Sequence, residues 1–354
     1  MFANLAFSQT TWTGSSNDLV WNTSGNWSTG LPDINTSAVL SLNSSPTISV
    51  NTASSVQGLQ KDGSGNLTIN GSDLTLGGGY LGSFNAILVN TGSVTVNANL
   101  VNTQNRRITL NSNGTSLTLN GTLNTSGVTT QIGNLGLGTL TFAGNRTGGN
   151  SLYLRDGTIT TTGILANVGG GNARVLLNGT VVSSRSGGPA IEGGSAGLVL
   201  ESTGTFRLGA NNQIRGLLDL SGGTLDLGAF SNSTTSGVAI QKLEMNLASA
   251  VSTINFSSVV GSSLSFDSVS STWATNASLV VTGFGAGDSL RFGTNASSLT
   301  LAQLNQITIN GVSAQIDQSG FVTPIPEAST FGFLIGMACL FGTLARRPCR
   351  QRLA

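Results

Sequence analysis

Hydrophobic and polar residues alternate in short segments along the chain, and each of these segments follows a glycine. Residues 92–97 (GSVTVN), 114–119 (GTSLTL) and 138–144 (GTLTFAG) are typical. Alternation with a period of two after a turn residue predicts a β-strand with one buried face. Further segments of this kind lie at 71–76, 157–163 and 223–228. The pattern predicts an all-β protein.

The glycines that open these segments recur at intervals of 19–25 residues, at Gly71, Gly92, Gly114, Gly138, Gly157, Gly179, Gly204 and Gly223. A unit of this length cannot bury its own apolar residues, but stacked copies bury them against one another. We therefore expect a right-handed parallel β-helix, or β-solenoid, over residues 61–230. The alternative is an antiparallel sandwich or jelly roll, whose turns recur at about 8–12 residues.

The flanking segments are expected to close this body. Residues 9–60 form an N-terminal cap and the first strands, with a hydrophobic cap made by Trp12, Trp21 and Trp27. Residues 231–323 form a C-terminal β region that contains a short helical turn at 301–306. Asparagine before glycine marks the expected corners between strands, because asparagine tolerates left-handed backbone geometry. These asparagines are Asn70, Asn113, Asn120, Asn178 and Asn310.

The first residues carry a fainter pattern. Ala6-x-Ser8 before Gln9 resembles a signal-peptidase site, and residues 2–8 are mostly apolar. We interpret residues 1–8 as the remnant of a signal peptide whose first part was lost upstream of the assigned start. An ordinary N-terminal strand is the alternative.

Residues 324–354 differ from the rest of the chain. No charged residue lies between Ala328 and Ala345, and these 18 residues as a helix would span roughly 27 Å, close to a hydrocarbon core of about 30 Å. We predict a transmembrane helix over 329–345. Four arginines follow this segment: Arg346, Arg347, Arg350 and Arg352. Basic residues next to a membrane span stay on the cytoplasmic side, so we expect the C-terminal end of the helix there. The alternative is a buried helix that closes a soluble domain.

Composition excludes several classes of function. The chain has no histidine, which removes the commonest general base and the commonest zinc ligand. Both cysteines, Cys339 and Cys349, lie in the tail, so the body has neither disulfides nor thiolate metal sites. Without residues 324–354 the chain has 11 basic and 13 acidic residues. The body therefore has no excess of positive charge that would attract nucleic acid. No cofactor or metal is expected.

Carboxylates remain as candidate catalytic groups, because two of them suffice for a glycosidase or polysaccharide lyase. The candidates are Asp156, Glu192, Glu201, Asp219 and Asp226. Asp219 and Asp226 flank Gly222-Gly223, and Arg155 precedes Asp156 at an expected turn. Their spacing shows no cluster, so the competing interpretation is that they are solvated corner residues. We assign no catalytic residue from the sequence.

The tail resembles the PEP-CTERM sorting signal of exported proteins from Gram-negative bacteria. The resemblance rests on Pro326-Glu327-Ala328, the short apolar span and the basic end, and residues 289–330 resemble the stretch that often precedes such tails. It implies that Pro326, Glu327 and Ala328 are recognised by an exosortase, a processing protease of the inner membrane. The family usually has proline at the position of Ala328.

The body resembles proteins with autotransporter-associated β-strand repeats. Residues 136–163 are similar to one repeat, and residues 10–33 look like the tryptophan-rich start of such passengers. A true autotransporter passenger would precede a C-terminal membrane barrel, whereas this chain has an apolar helical segment there.

Together these patterns predict an exported, non-enzymatic scaffold or adhesin. The protein would be anchored transiently in the inner membrane and would then reach the cell surface or an extracellular matrix, with extracellular polysaccharide as its expected partner. The alternative is a β-helix enzyme that degrades exopolysaccharide.

Overall fold

The computed structural model describes residues 8–77, 85–125, 127–134, 138–167, 171–176, 178–193, 197–233, 239–256 and 261–326. Several predictions therefore lie outside the described residues: the signal-peptide remnant except for Ser8, the transmembrane segment 329–345, Glu327, Ala328 and the four terminal arginines. The helices in the described ranges are all too short or too polar to cross a membrane.

The strands are β1 (Ser8–Thr11), β2 (Thr36–Ser41), β3 (Thr47–Val50), β4 (Ser54–Val56), β5 (Leu59–Asp62), β6 (Leu67–Gly71), β7 (Leu74–Leu76), β8 (Asn85–Val89), β9 (Ser93–Val96), β10 (Leu100–Asn102), β11 (Arg106–Leu110), β12 (Ser116–Leu119), β13 (Leu123–Asn124), β14 (Thr130–Asn134), β15 (Thr139–Phe142), β16 (Arg146–Thr147), β17 (Leu152–Arg155), β18 (Gly157–Thr161), β19 (Ala173–Val175), β20 (Gly179–Ser183), β21 (Gly197–Glu201), β22 (Thr205–Leu208), β23 (Leu217–Ser221), β24 (Thr224–Asp226), β25 (Ile240–Glu244), β26 (Val251–Asn255), β27 (Ser263–Val269), β28 (Ser278–Thr282), β29 (Ser289–Phe292), β30 (Ile307–Ile309), β31 (Val312–Ile316) and β32 (Val322–Pro324). Helical turns are at Ser24–Asn26, Ala296–Ser298 and α1 (Leu301–Leu304).

These strands stack into a parallel β-solenoid of about ten turns. The first sheet has the order β1-β2-β5-β8-β11-β14-β17-β19-β21-β23-β25-β27-β29, the second β3-β6-β9-β12-β15-β18-β20-β22-β24-β26-β28-β30-β31-β32, and the third β4-β7-β10-β13-β16. Single bridges, which join Ala166 to Ile191 and Ile191 to Ile214, follow the third sheet along the described part of the chain. The predicted parallel solenoid is thus confirmed.

The spacing of the glycines in the sequence matches the number of residues in one turn of the solenoid. Gly157 pairs with Gly179 in the second sheet, and Thr180 pairs with Thr205. The expected equivalence of Gly71 with Gly92 is wrong. The strand that follows Gly71, β7, belongs to the third sheet, whereas Gly92 precedes β9 in the second. The two long ladders cross the boundaries drawn from sequence at 60/61 and 230/231 without a break.

The core is a column of inward-facing aliphatic and aromatic side chains. In the first sheet Leu154, Val175 and Leu200 lie on successive strands and are fully buried. Alternate residues of each strand point inward, so the period-two pattern becomes one continuous interior. Burial of this apolar surface along every turn is the main stabilising term of the fold.

Both ends of the solenoid are covered. At the start, Trp12, Trp21 and Trp27 are buried and pack edge to face, which confirms the predicted cap. At the other end, β31 and β32 pair antiparallel with their neighbours, and α1 confirms the predicted helical turn.

Asparagines line the corners, as predicted. The amide of Asn97 donates a 2.6 Å hydrogen bond to Asn70, and the amide of Asn120 donates a 2.7 Å bond to Asn97 one turn on. Of the five asparagines expected at corners, Asn178 and Asn310 adopt left-handed backbone angles, with φ of 60° and 50°, whereas Asn70, Asn113 and Asn120 do not. The asparagine ladder therefore satisfies side-chain amides between turns where the backbone bends.

Two basic side chains point into the interior. Lys61 is fully buried, and its ammonium group donates 2.7 Å hydrogen bonds to the carbonyl oxygens of Asp62 and Gly63. Burial lowers the pKa of Lys61, and the charge of Asp62 partly opposes that shift. Arg146 bonds Thr125 and the carbonyl oxygens of Leu165 and Gly171. Burial lowers the pKa of Arg146 to about 10.

Candidate functional site

The outer face of the first sheet carries a column of charged, amide and aromatic side chains, interrupted by one buried valine, Val199. Its members lie at one position of successive strands, and in order they are Arg107, Gln131, Tyr153, Arg174, Val199, Asp219 and Glu244. Apart from Arg106, the residues on either side of this position are buried. Parallel pairing places members of the column about 4.8 Å apart.

The basic end of this column lines a cleft of about 470 Å³. The arginine–tyrosine cleft is lined by Asn105, Arg106, Arg107, Thr129, Gln131 and Tyr153. This volume lies in the range of small-molecule sites in proteins. The cleft combines guanidinium groups, which bind carboxylate or sulfate oxygens in pairs, with an aromatic ring that offers an apolar surface.

Arg107 supplies one of the two guanidinium groups that line the cleft. Its guanidinium reaches Gln131 at 3.3 Å, a weak contact, and its Nε atom is buried without a hydrogen-bond partner. Among the described residues, no carboxylate forms an ion pair with Arg107. An uncompensated, partly buried guanidinium favours an anionic ligand.

A second cleft of about 310 Å³ lies further along the same face. This acidic cleft is lined by Arg174, Glu201, Ser202, Asp219, Ser221, Asn246 and Leu247. Asp219 accepts hydrogen bonds from Ser221 at 2.8 Å and from Asn246 at 3.0 Å. Asn246 also donates to Glu244, which lies opposite Asp219 on the next strand.

Glu244 is held in its ionised form. Lys242 donates a 2.6 Å hydrogen bond to one of its oxygens, and Asn246 donates a 2.9 Å bond to the other. These contacts, that of Lys242 first, lower the pKa of Glu244. A carboxyl group of this kind cannot donate a proton near neutral pH, so it is unsuited to general-acid catalysis.

The carboxylates proposed from the sequence do not form one site. Glu201 and Asp219 line the acidic cleft, whereas Asp226 lies on the second sheet. Four of the five form an ion pair with an arginine, as in the pairs Arg155–Asp156, Arg185–Glu192, Arg174–Glu201 and Arg207–Asp226. Asp219 and Asp226, which flank Gly222-Gly223, lie on strands of different sheets.

The predicted sorting residues are described only at their first member. Pro326 follows β32 closely, whereas Glu327, Ala328 and the terminal arginines lie outside the described residues. In the described ranges, cysteine, aspartate and glutamate form no group of three that could hold a metal ion.

Sequence reasoning missed the arginine–tyrosine cleft. Arg107, Gln131, Tyr153 and Arg174 were not singled out, although the steps between them, of 24, 22 and 21 residues, fall within the repeat interval. Aligning the turns on one another would have placed these four side chains in one column. Comparisons with protein-family models, with characterised proteins and with solved structures gave no match to this chain.

Proposed function

We propose that the protein is an exported, non-enzymatic scaffold or adhesin of the cell surface or extracellular matrix, which binds acidic polysaccharide through the arginine–tyrosine cleft. The uncompensated guanidinium of Arg107, in one cleft with the ring of Tyr153 two strands away, is the observation that carries this proposal. Sugar rings pack on aromatic faces, and uronate or sulfate groups accept charge-assisted hydrogen bonds from arginine.

The solenoid supports a scaffold role by its construction. Its ladders run from Ser8 to Pro324, and their hydrogen bonds join each turn to the next. Nearest-neighbour packing of this kind makes a long body whose outer faces repeat along its length. We expect the right-handed sense usual for parallel crossovers. The repeated faces suit a partner that also repeats, such as a polysaccharide chain.

Sorting to the surface is proposed from the resemblance of residues 324–354 to the PEP-CTERM signal. On this proposal an exosortase recognises Pro326, Glu327 and Ala328 while the segment 329–345 lies in the inner membrane. The basic residues Arg346, Arg347, Arg350 and Arg352 stay on the cytoplasmic side. Processing then releases the solenoid from its temporary anchor.

Expression in a host that has an exosortase tests the sorting step. Glu327→Ala should keep the unprocessed mass, and a variant that lacks residues 324–354 should lose surface location. Gln318→Ala, at an exposed position in the same region, serves as control. Mature mass and location equal to those of the parent would overturn the sorting proposal.

A polysaccharide-degrading enzyme is the second candidate. The acidic cleft favours it, because Arg174, Glu201 and Asp219 line one depression on a face that could hold a glycan. Two carboxylates and a cation can support glycosidase or lyase chemistry. Substitution of Glu201 and Asp219 by the corresponding amides would abolish cleavage of exopolysaccharide if this candidate is right.

A further inference from the structure

The outer face of the second sheet carries serine and threonine in two columns over five successive turns. We call these residues the threonine face: Ser93, Ser116, Thr139, Thr158 and Thr180 in one column, and Thr95, Thr118, Thr141 and Thr160 in the other. Each turn therefore presents Ser or Thr at positions i and i+2 of its strand, except that Val182 follows Thr180.

The two columns form a regular lattice. Thr118 pairs directly with Thr95 on one side and with Thr141 on the other, and the pairing continues to Thr160 without a register shift. Neighbouring strands lie about 4.8 Å apart, and residues i and i+2 of a strand about 6.6 Å apart. The hydroxyl and methyl groups thus repeat at short, constant distances in two directions.

The hydroxyl groups of the threonine face are available to a ligand. All nine side chains are half-buried or exposed, and none of their hydroxyls bonds another described residue. Thr161, which points inward, differs because its hydroxyl donates a 2.9 Å bond to the carbonyl oxygen of Phe142. Threonine is stiff at χ1, so most of the array is held in few orientations before a ligand arrives.

The chemistry of this face selects its ligand. The nine residues include no charged and no aromatic side chain, so they offer neither ion pairs nor stacking to a glycan. The outer face of the first sheet, with Arg107 and Tyr153, has both. A stiff array of methyl and hydroxyl groups instead complements a surface that is itself a lattice of hydrogen-bonding oxygens with similar repeat distances.

We propose that the threonine face binds the surface of ice. Water oxygens form rows on ice whose spacings resemble those of the two columns, so the hydroxyls can take the place of surface waters. Methyl groups between them order further water by apolar hydration. Because many equivalent contacts form together on a rigid array, little conformational entropy is lost on binding.

The test uses the full chain and measures ice binding directly, as thermal hysteresis and as the fraction of protein taken into a slowly growing ice surface. We expect both signals from the parent and their loss in the double variant Thr118→Tyr/Thr141→Tyr. The matched control is Thr272→Tyr/Thr294→Tyr, at exposed positions away from the array, which should retain both signals.

Folding is checked by circular dichroism and by the melting temperature of each variant. If the double tyrosine variant does not fold, Thr139→Lys, which places a charge at an exposed position of the array, takes its place. A parent protein that shows no hysteresis and is excluded from ice overturns the proposal. Ice binding that survives in a folded variant of the threonine face also overturns it.

Discussion

The guanidinium carbon of Arg174 lies 5.5 Å from the centre of the Tyr153 ring, which is on the neighbouring strand of the first sheet. The same guanidinium forms an ion pair with Glu201. Tyr153 lines the arginine–tyrosine cleft, and Arg174 and Glu201 line the acidic cleft. The two clefts are therefore joined by a continuous contact along one outer face.

Replacing Arg107 should weaken the binding of acidic polysaccharide. Arg107→Gln removes one of the two guanidinium charges that line the cleft but keeps a polar side chain of moderate length. A hydrogen bond to a charged group contributes about 1.5–3 kcal/mol, so we expect an affinity loss of about tenfold or more. Calorimetric titration with polygalacturonate oligomers measures it.

Arg291→Gln is the matched control, because Arg291 lies at the other end of the solenoid, where it faces Phe321. It should leave the affinity unchanged. Equal losses in both variants would mean that binding follows overall charge rather than the cleft.

Gly144 occupies a corner that admits no side chain. A Cβ atom at this position would lie 1.9 Å from the carbonyl oxygen of Gly121 on the previous turn. Overpacking of this kind costs about 1–3 kcal/mol, so Gly144→Ala should lower the free energy of unfolding by that amount. Gly187→Ala has open space around it and should change stability little. Urea denaturation of both variants distinguishes the two cases.

Lys61 should make stability depend on alkaline pH. Its pKa in the folded protein lies below the ordinary value of 10.5, because burial disfavours the charge. Between the two values the unfolded chain binds a proton that the folded protein does not, so the free energy of unfolding rises with pH. Below that window both states are protonated and the cost of burial is fully present.

Lys61→Met removes the titrating group and keeps most of its volume. Urea denaturation of the parent and the variant over a series of pH values up to 10.5 isolates the contribution of Lys61. We expect the difference between their unfolding free energies to change with pH in this window. A difference that stays constant would show that Lys61 titrates normally.

Trp27 holds the N-terminal cap together. Its ring packs edge to face on Trp12 at 5.0 Å and on Trp21 at 4.8 Å, and its indole NH donates a 2.8 Å bond to the carbonyl oxygen of Trp21. Trp27→Ala should cost about 3–5 kcal/mol of stability. Leu31→Ala, at an exposed position nearby, should leave the melting temperature unchanged.

The repeat of the solenoid was readable from the sequence because it depends on local signals. Gly157 and Gly179, chosen for their spacing, prove to be direct partners in adjacent strands. Glycine and asparagine mark corners, and the alternation of apolar residues defines the buried face. The assignment of Gly71 was wrong because glycine marks more than one corner in each turn. The spacing between glycines does not show which sheet the following strand joins.

The candidate site becomes readable in the sequence only after the turns are aligned in register. Arg107, Gln131 and Tyr153 come together only through the register of the first sheet, where the lengths of the intervening loops vary. The search for chemistry began from carboxylates, but most of these are paired with arginines, as Asp226 is with Arg207. The significant feature was an arginine without such a partner, which depends on three-dimensional pairing.

Incubation of the purified parent protein with polygalacturonate tests the proposed function most directly, because binding and chain length can be measured in one sample. We expect the protein to sediment with the polymer while the size distribution of the polymer stays constant over time. Shortening of the polymer, or failure of the protein to bind it, would contradict a non-enzymatic scaffold that holds acidic polysaccharide.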